Sequence, residues 1–361
     1  MKKNNYNVIG LMSGTSLDGV DLAHIKFNVH DKKWTFEILE SETIGYNDDW
    51  ISHLKLAVDY SENELEKLNK KYTKLLAAVI SAFIAKHQIE NLDAVCSHGH
   101  TILHQPEKGL TLQIGNLPEI SSLIHQTVVC DFRVQDVQRG GQGAPLVPIG
   151  DQILFSEYDY CMNLGGFSNV SFEQNGERIA FDISPVNTVL NYYANQLGLD
   201  YDDKGTISRT GKVNDKLLNE LNALDYYLQK FPKSLGFEFV KEIVLPMIES
   251  YQISIEDKLR TFTEHAAVQT ALALDYFETR NDKKDRILIT GGGAYNDFII
   301  ERIQLYLPKM EIVIPSAKIL EYKEALIFAF LGVLKLRGEI NVLKSVTGAK
   351  MDHSSGIIYK P

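Results

Sequence analysis

Residues 8–21 read VIGLMSGTSLDGVD, and this stretch limits the fold more tightly than any other. Val8, Ile9, Gly10, Leu11 and Met12 form an apolar run that stops at Ser13, Gly14, Thr15 and Ser16. A second apolar run begins at Val20, after Leu17, Asp18 and Gly19. The pattern is strand, tight polar turn, strand, with glycine where backbone must bend or approach something closely. Free backbone N–H groups and hydroxyls suit phosphate oxygens, which accept hydrogen bonds and never donate them. The turn is neither a P-loop nor a dinucleotide fingerprint. It lacks the lysine of GxxxxGK[ST], and the chain leaves it as strand rather than helix. An ordinary glycine-rich hairpin turn uses the same residue types, so the stretch alone leaves both readings open.

The 361 residues favour two domains, each large enough for its own core. With 44% apolar and 23% charged residues the composition is that of a soluble globular protein. Thirty-seven basic against 47 acidic side chains give a net charge of −10, which disfavours a nucleic-acid partner. No stretch approaches a membrane span, and no apolar leader with a cleavage site follows the basic start. Cys96, Cys130 and Cys161 lie far apart in apolar runs and read as reduced core thiols. The expectation is a cytoplasmic protein with no membrane partner.

Further along, residues 20–27 and 34–39 alternate like antiparallel strands. Ser61 and Glu64 form a capping box, opening a helix to about Lys86. Strands at 92–96, 110–114 and 127–130 each end in polar residues, as when an α/β sheet lines a crevice with its carboxyl edge. Residues 138–148, QRGGQGAPLVP, read as a loop and an inter-domain crossing. Residues 158–164 then repeat the opening pattern: an apolar strand stops at Gly165 and Gly166, and 167–172 leaves as a second strand. Residues 178–181 form a third strand ending on Asp182. The echo implies two related halves facing each other across a cleft. A helix follows over 185–198, mostly helical chain over 213–274, a buried strand at 286–289 entering TGGGAYN, and an apolar helix over 321–336.

At this point the chain resembles the anhydro-N-acetylmuramic acid kinases of the actin-like/hexokinase superfamily. The resemblance rests on GLMSGTSLDGVD, SHGHT, LQIG, DFR, GGQGAPLVP, NLGGFSN, FDISPVN, GGGAYN, EALIFAF and SVTGA, in that order over nearly the full length. It implies two actin-like (ribonuclease H-like) ATPase domains with a cleft between them, here 1–132 plus 345–361 and 133–344. It also implies an ATP- and Mg²⁺-dependent sugar kinase that closes over its substrates. Such an enzyme cleaves the 1,6-anhydro ring of anhydro-N-acetylmuramic acid with water and phosphorylates O6, serving cell-wall sugar recycling. Homodimers are common in the superfamily, so the resemblance allows one here. Three segments depart from the family pattern. FDTGPGN is replaced by residues 181–187, HGQT by His98, Gly99, His100 and Thr101, and PKSTGRE by 232–238. A different amino sugar or hexose, or an ATP-binding regulator without catalysis, are the alternatives.

Individual residues carry two readings each. Asp182, at a strand end, is a general base by resemblance, activating water; locally it would equally cap the helix after Pro185. Asp18 is a candidate for organising Mg²⁺ through its waters, or an Asx-turn residue. The nucleotide candidates are Gly14, Thr15, Ser16, Leu17, Asp18, Gly19, Val20 and Asp21, with Gly165, Gly166, Gly291, Gly292, Gly293 and Asn296 facing them. The plain alternative for these is a set of strand-end turns. His98, Thr101, Arg133 and Glu324 are the sugar-site candidates by resemblance. Otherwise Arg133 is a surface residue and Glu324 a solvent-facing helix residue. His98, His100 and His104 lack a carboxylate or cysteine at ligand spacing, so a metal site there is rejected. Met247, Tyr276, Phe277, Phe328 and Phe330 fit helical core spacing.

Overall fold

The computed structural model describes residues 2–14, 16–275 and 284–361. It divides into two compact units, residues 1–154 with 322–361 and residues 155–321. In the first unit, β1 (Asn5–Ser13), β2 (Gly19–His30) and β3 (Lys33–Gly45) form an antiparallel meander. The strand β4 (Ala94–Gln105) lies parallel to β1 on its other side. From it β5 (Leu110–Ile114) folds back as a hairpin, and β6 (Val128–Cys130) adds in parallel. The second unit repeats the plan. An antiparallel meander of β7 (Tyr160–Leu164), β8 (Phe167–Gln174) and β9 (Glu177–Pro185) is followed by β10 (Arg286–Thr290), parallel to β7. The strand β11 (Glu311–Val313) is parallel to β10, and β12 (Ile357–Tyr359) returns to the first sheet, antiparallel to β6.

The sheet orders are β12-β6-β4-β1-β2-β3 and β11-β10-β7-β8-β9. Each places the meander's first strand centrally, with two parallel strands beyond it. That is the ribonuclease H-like order, used twice, and it is what the repeated strand–glycine turn–strand pattern anticipates. The fold is α/β with two mixed sheets.

The helix Glu62–Lys86 begins at the expected capping box, where Ser61 N–H donates to Glu64 Oε2 at 2.9 Å. It buries Leu65, Leu68, Tyr72, Leu76, Ile80 and Phe83 in the first unit's core. A second core, around β7, β9 and the helix Ile255–Asp275, fills the other unit and has Met247 packed at its margin. Tyr276 and Phe277 lie outside the described residues. Cys96, Cys130 and Cys161 are buried free thiols. Among the described residues no helix is long and apolar enough to cross a membrane.

The unit boundaries differ from the expected division at 132/133 and 344/345. The loop 138–148 is not a crossing: Gly143 N–H donates to the buried Asp136 at 2.7 Å and Gln142 N–H to Thr347 O at 2.8 Å, all within the first unit. The helix Ala317–Leu336 starts earlier than expected, and its helical geometry breaks at Tyr322 (φ −112°, ψ 16°). From there it packs on the first sheet with almost no space between. A Cβ on Gly10 would stand 2.0 Å from Ala325 O, one on Gly332 2.2 Å from Cys96 Sγ, and one on Gly150 2.8 Å from Ile327 Cγ1. These contacts hold 133–154 and 322–344 with the amino-terminal strands.

Gly10 lies at ordinary backbone angles, so steric overlap is its whole constraint. Gly10→Ala is expected to lower unfolding stability by about 1–3 kcal/mol, the range for overpacking a filled core, as read from the urea midpoint.

Candidate active site

The turn after β1 is built by the end of that strand. Ser13 resumes the parallel pairing with His100 after an irregularity between Leu11 and Ser13. Its Oγ lies 2.8 Å from His100 Nδ1 and 2.7 Å from the Tyr46 hydroxyl, which in turn bonds to the hydroxyl of Tyr72. Beyond Gly14, Leu17 takes a left-handed conformation (φ 61°) and its N–H donates to Gly14 O at 3.3 Å. Ser16 is exposed and donates its hydroxyl to Asp18 Oδ1 at 2.7 Å, a side-chain contact and not the backbone bond of an Asx turn. Gly19 opens β2 beside Gly45, where a Cβ would stand 2.4 Å from Ile44 O. Val20 is a core residue, 2% exposed. Asp21 accepts from Thr43 Oγ1 at 2.6 Å. Thr15 lies outside the described residues.

Four sugar-site candidates come from the same unit. His98 is buried on β4; its Nε2 accepts from Arg133 Nε at 2.9 Å, and its Nδ1 lies 3.0 Å from Gly99 O. A carbonyl only accepts, so this pairing assigns the proton to Nδ1 and leaves the ring neutral. Burial, and then the Arg133 charge, push its pKa well below the ordinary histidine value. Arg133 is half-buried rather than on the surface, and its Nη1 donates to Gly143 O at 2.7 Å. Desolvation lowers its pKa to about 10, with Glu324 and Asp136 opposing, so the guanidinium stays charged at neutral pH.

Glu324 is solvent-accessible. It precedes Ala325, whose carbonyl packs on Gly10. Desolvation by the surrounding protein raises its carboxyl, Arg133 and Lys323 lower it, and Asp21 and Asp18 raise it further. Four charged candidates from three segments therefore share one electrostatic environment. Thr101, partly buried, accepts from Gln113 Nε2 at 3.3 Å. The three histidines each have a partner: His98 with Arg133, His100 with Ser13, and His104 with Thr111 Oγ1 at 3.1 Å.

In the second unit Asp182 is inside a strand, not at its end, because β9 continues to Pro185. Opposite it the register slips between Ser168 and Asn169, the kind of bulge that re-aims side chains. Its carboxylate does not cap the following helix. That helix, Asn187–Gln196, has Val186 at its cap with no side-chain bond, and Pro185 belongs to the strand. The carboxylate instead accepts from Leu235 N–H at 2.9 Å, while Asp182 N–H donates to Lys233 O at 3.1 Å. Tyr226 donates its hydroxyl to Asp182 O, and Lys233 Nζ sits 4.4 Å from the centre of the Tyr226 ring. Burial raises the Asp182 carboxyl, and the Leu235 hydrogen bond partly offsets this.

The glycines of this unit divide into two groups. Gly291 (φ 85°) and Gly293 lie against the end of β7; a Cβ on the first would stand 2.5 Å from Asn163 Oδ1, and on the second 2.8 Å from Leu164 Cβ. Gly166 and Gly292 are exposed. The carbonyls of Gly165 and Gly166 accept from Asn187 N–H at 3.3 Å and Val186 N–H at 2.8 Å, tying this turn to the helix start. Asn296 caps the helix Asp297–Tyr306, accepting from Ile299 N–H at 3.1 Å. Leu235, Tyr226 and Lys233 are the site neighbours that sequence reasoning missed. Leu235 acts through its backbone, which leaves no mark in residue type, although the segment is conspicuous as one that departs from the family pattern.

The sequence model described as "Anhydro-N-acetylmuramic acid kinase" matches residues 6–361. The chain belongs to the anhydro-N-acetylmuramic acid kinase family. Family relatives of that name from Pseudomonas syringae pv. syringae and Francisella tularensis subsp. novicida are 32% and 33% identical. The first alignment covers 97% of this chain and 98% of the relative, the second 95% of each. A relative from Caldanaerobacter subterraneus subsp. tengcongensis is 32% identical over 95% of this chain and 94% of its own. Among solved structures, the activator of 2-hydroxyisocaproyl-CoA dehydratase from Clostridium difficile with bound ADPNP aligns over 92% of this chain and 96% of its own. Its identity is 15% and its TM-score 0.43. Family membership makes the protein a carbohydrate kinase, a phosphotransferase.

Because the bond to Asp182 comes from a main-chain N–H, side-chain changes at 235 should spare it. Leu235→Ala is expected to leave the Asp182 carboxyl where it is. Leu235→Pro removes the donor and moves that carboxyl further up, as followed by carboxyl-carbon NMR titration.

Proposed function

We propose that the protein phosphorylates 1,6-anhydro-N-acetylmuramic acid at O6 with ATP, opening the anhydro ring with water, and that Asp182 is the general base. Family membership supports the sugar and the phosphoryl transfer. The base assignment rests on one observation: a half-buried carboxylate with raised basicity, held by a single backbone N–H. A base must take a proton in the reaction, and the upward shift that burial gives this carboxyl strengthens it for that task.

Asp182 takes a proton from water as the water oxygen bonds to the anomeric carbon. The bond from that carbon to the bridging oxygen breaks, and the oxygen, now O6, attacks the γ-phosphorus. The bond from phosphorus to the β–γ bridging oxygen then breaks and ADP departs. Phosphoryl transfer asks mainly for positioning and charge neutralisation. Residues 14–21 supply hydroxyls and backbone N–H groups to the triphosphate, and the Arg133 guanidinium suits the planar lactyl carboxylate of the sugar. His98 holds Arg133 at its Nε, so the orientation of the guanidinium is set before substrate arrives. Glu324 accepts from sugar hydroxyls, and Thr101 lines the same region.

The donor set near the turn fits Mg²⁺ held through water and phosphate oxygens. Asp18 is an exposed carboxylate, and among the described residues no group of three ligating side chains forms a protein cage. When bound, the ion neutralises charge on the β- and γ-phosphates. The departure of 235–237 from the family pattern is compatible with this chemistry, because the contact it makes to Asp182 is main-chain.

Asp182→Asn is expected to lower turnover about 10²–10⁴-fold while ATP affinity changes little. The folded-state carboxyl is raised, so ionising Asp182 disfavours the fold: its favourable term is present at low pH and is lost as pH rises through the folded pKa. The asparagine variant should therefore melt at or above the parent's temperature at pH 7. Near-native ADP release from this variant with the anhydro sugar would remove Asp182 from the mechanism. ADP release with non-anhydro hexoses but not with the anhydro sugar would remove the substrate assignment.

A further inference from the structure

We infer that His100 is a positioning residue for the triphosphate turn: it pins Ser13, the last residue of β1, where the chain leaves the sheet. The inference rests on the reading that residues 14–21 hold the nucleotide. The parallel ladder runs evenly from Val8 opposite Ala94 to Leu11 opposite Ser97 and then slips, so that Ser13 stands opposite His100. Two residues of β1 thus span three of β4 just before the turn, and the ladder resumes at Ser13 out of its earlier register. The side-chain bond between Ser13 Oγ and His100 Nδ1, at 2.8 Å, fastens the strand end at that shifted pair.

Both groups are buried, at 3% and 2% exposure, so water does not compete for the bond. Tyr46 closes the arrangement, its hydroxyl 2.7 Å from Ser13 Oγ and its ring edge-on to the imidazole at 6.5 Å. The ring of Tyr72 stands 6.0 Å from the imidazole. Burial lowers the His100 pKa to about 4, so the imidazole is neutral at pH 7 and shares one proton with Ser13 Oγ in either direction according to its tautomer. His100 touches no reacting atom in this scheme; it acts through Ser13. The family pattern HGQT has glutamine here, a side chain that also reaches and hydrogen-bonds but does not titrate.

The test uses the full-length chain and ADP release, with ATP and the anhydro sugar varied separately. His100→Leu, which keeps bulk and removes the hydrogen-bonding nitrogen, is expected to raise KM for ATP about tenfold, with KM for the sugar within about twofold. His100→Gln should return KM for ATP to within about threefold of the parent. Ser13→Ala removes the other partner with less change in volume, and should reproduce the ATP-selective rise even if His100→Leu folds poorly. The double variant should be no worse than the poorer single one, because one interaction is being removed twice. An unchanged KM for ATP in both single variants, parallel rises for ATP and sugar, or additive effects would overturn the role of His100. A parent chain that binds no ATP would instead overturn the reading of the turn itself.

Discussion

The carbonyl of Ala325 occupies the space where residue 10 would carry a side chain, and much of the first unit depends on that contact. A helix can approach a central strand so closely only if the strand offers bare backbone, and Gly10 supplies it on β1 while Gly332 supplies it in return above Cys96. The helix residues Ala325, Leu326, Ile327, Phe328, Ala329, Phe330 and Leu331 are all essentially buried. Each large one contributes about 1.5–3 kcal/mol of transfer free energy, so the seating is not easily shifted. Functional geometry follows from this seating. Phe328 lies 4.5 Å from the His98 ring and 5.8 Å from Phe132, while His98 holds Arg133. Glu324 is one residue before the contact. A packing constraint thus sets the positions of three charged or polar candidates from separate parts of the chain.

The two sheets share a strand order but use their first turns differently. After β1 the turn is fastened from within the sheet, through Ser13 and His100. After β7 it is fastened to the next helix, since the carbonyls of Gly165 and Gly166 take up the first N–H groups there. A helix start whose donors are already satisfied offers little to an anion. Among the described residues of the two turns, the one after β1 leaves a hydroxyl-bearing residue, Ser16, at the protein surface. Similar glycine signatures therefore mark the same topology while the two turns are fastened in different ways.

Much of the fold was legible in the sequence because it rests on periodicity and punctuation. Alternation in β2 and β3, the capping box at Ser61, and glycines at strand ends are local signals, and the elements stand near where those signals lie. The unit boundaries were not legible. The stretch 138–148 has the composition of a linker, yet it is anchored by Asp136 and Thr347, which are remote or unremarkable in sequence. Asp182 stood out as an acidic residue closing an apolar run, but its place inside β9 depends on a bulge that shifts the ladder without altering residue types. Its partner Leu235 was invisible because a backbone donor is the same in every residue but proline. His100 was visible as an oddity, a histidine within a polar turn; its pairing with Ser13 needs the register of two strands that nearly ninety residues of chain separate.

The break in helical geometry at Tyr322 also has a consequence for biosynthesis. The unit spanning 155–321 is one unbroken length of chain, whereas the other is assembled from two lengths that enclose it in sequence. During translation β1 emerges first, but the helix that covers Gly10 and the strand β12 that extends the edge at β6 emerge last. The second unit therefore has all its residues available while the first still exposes the apolar face of its central strands. An incomplete sheet of that kind is prone to aggregation, and a nascent chain of this design must hold its amino-terminal third through the synthesis of everything else.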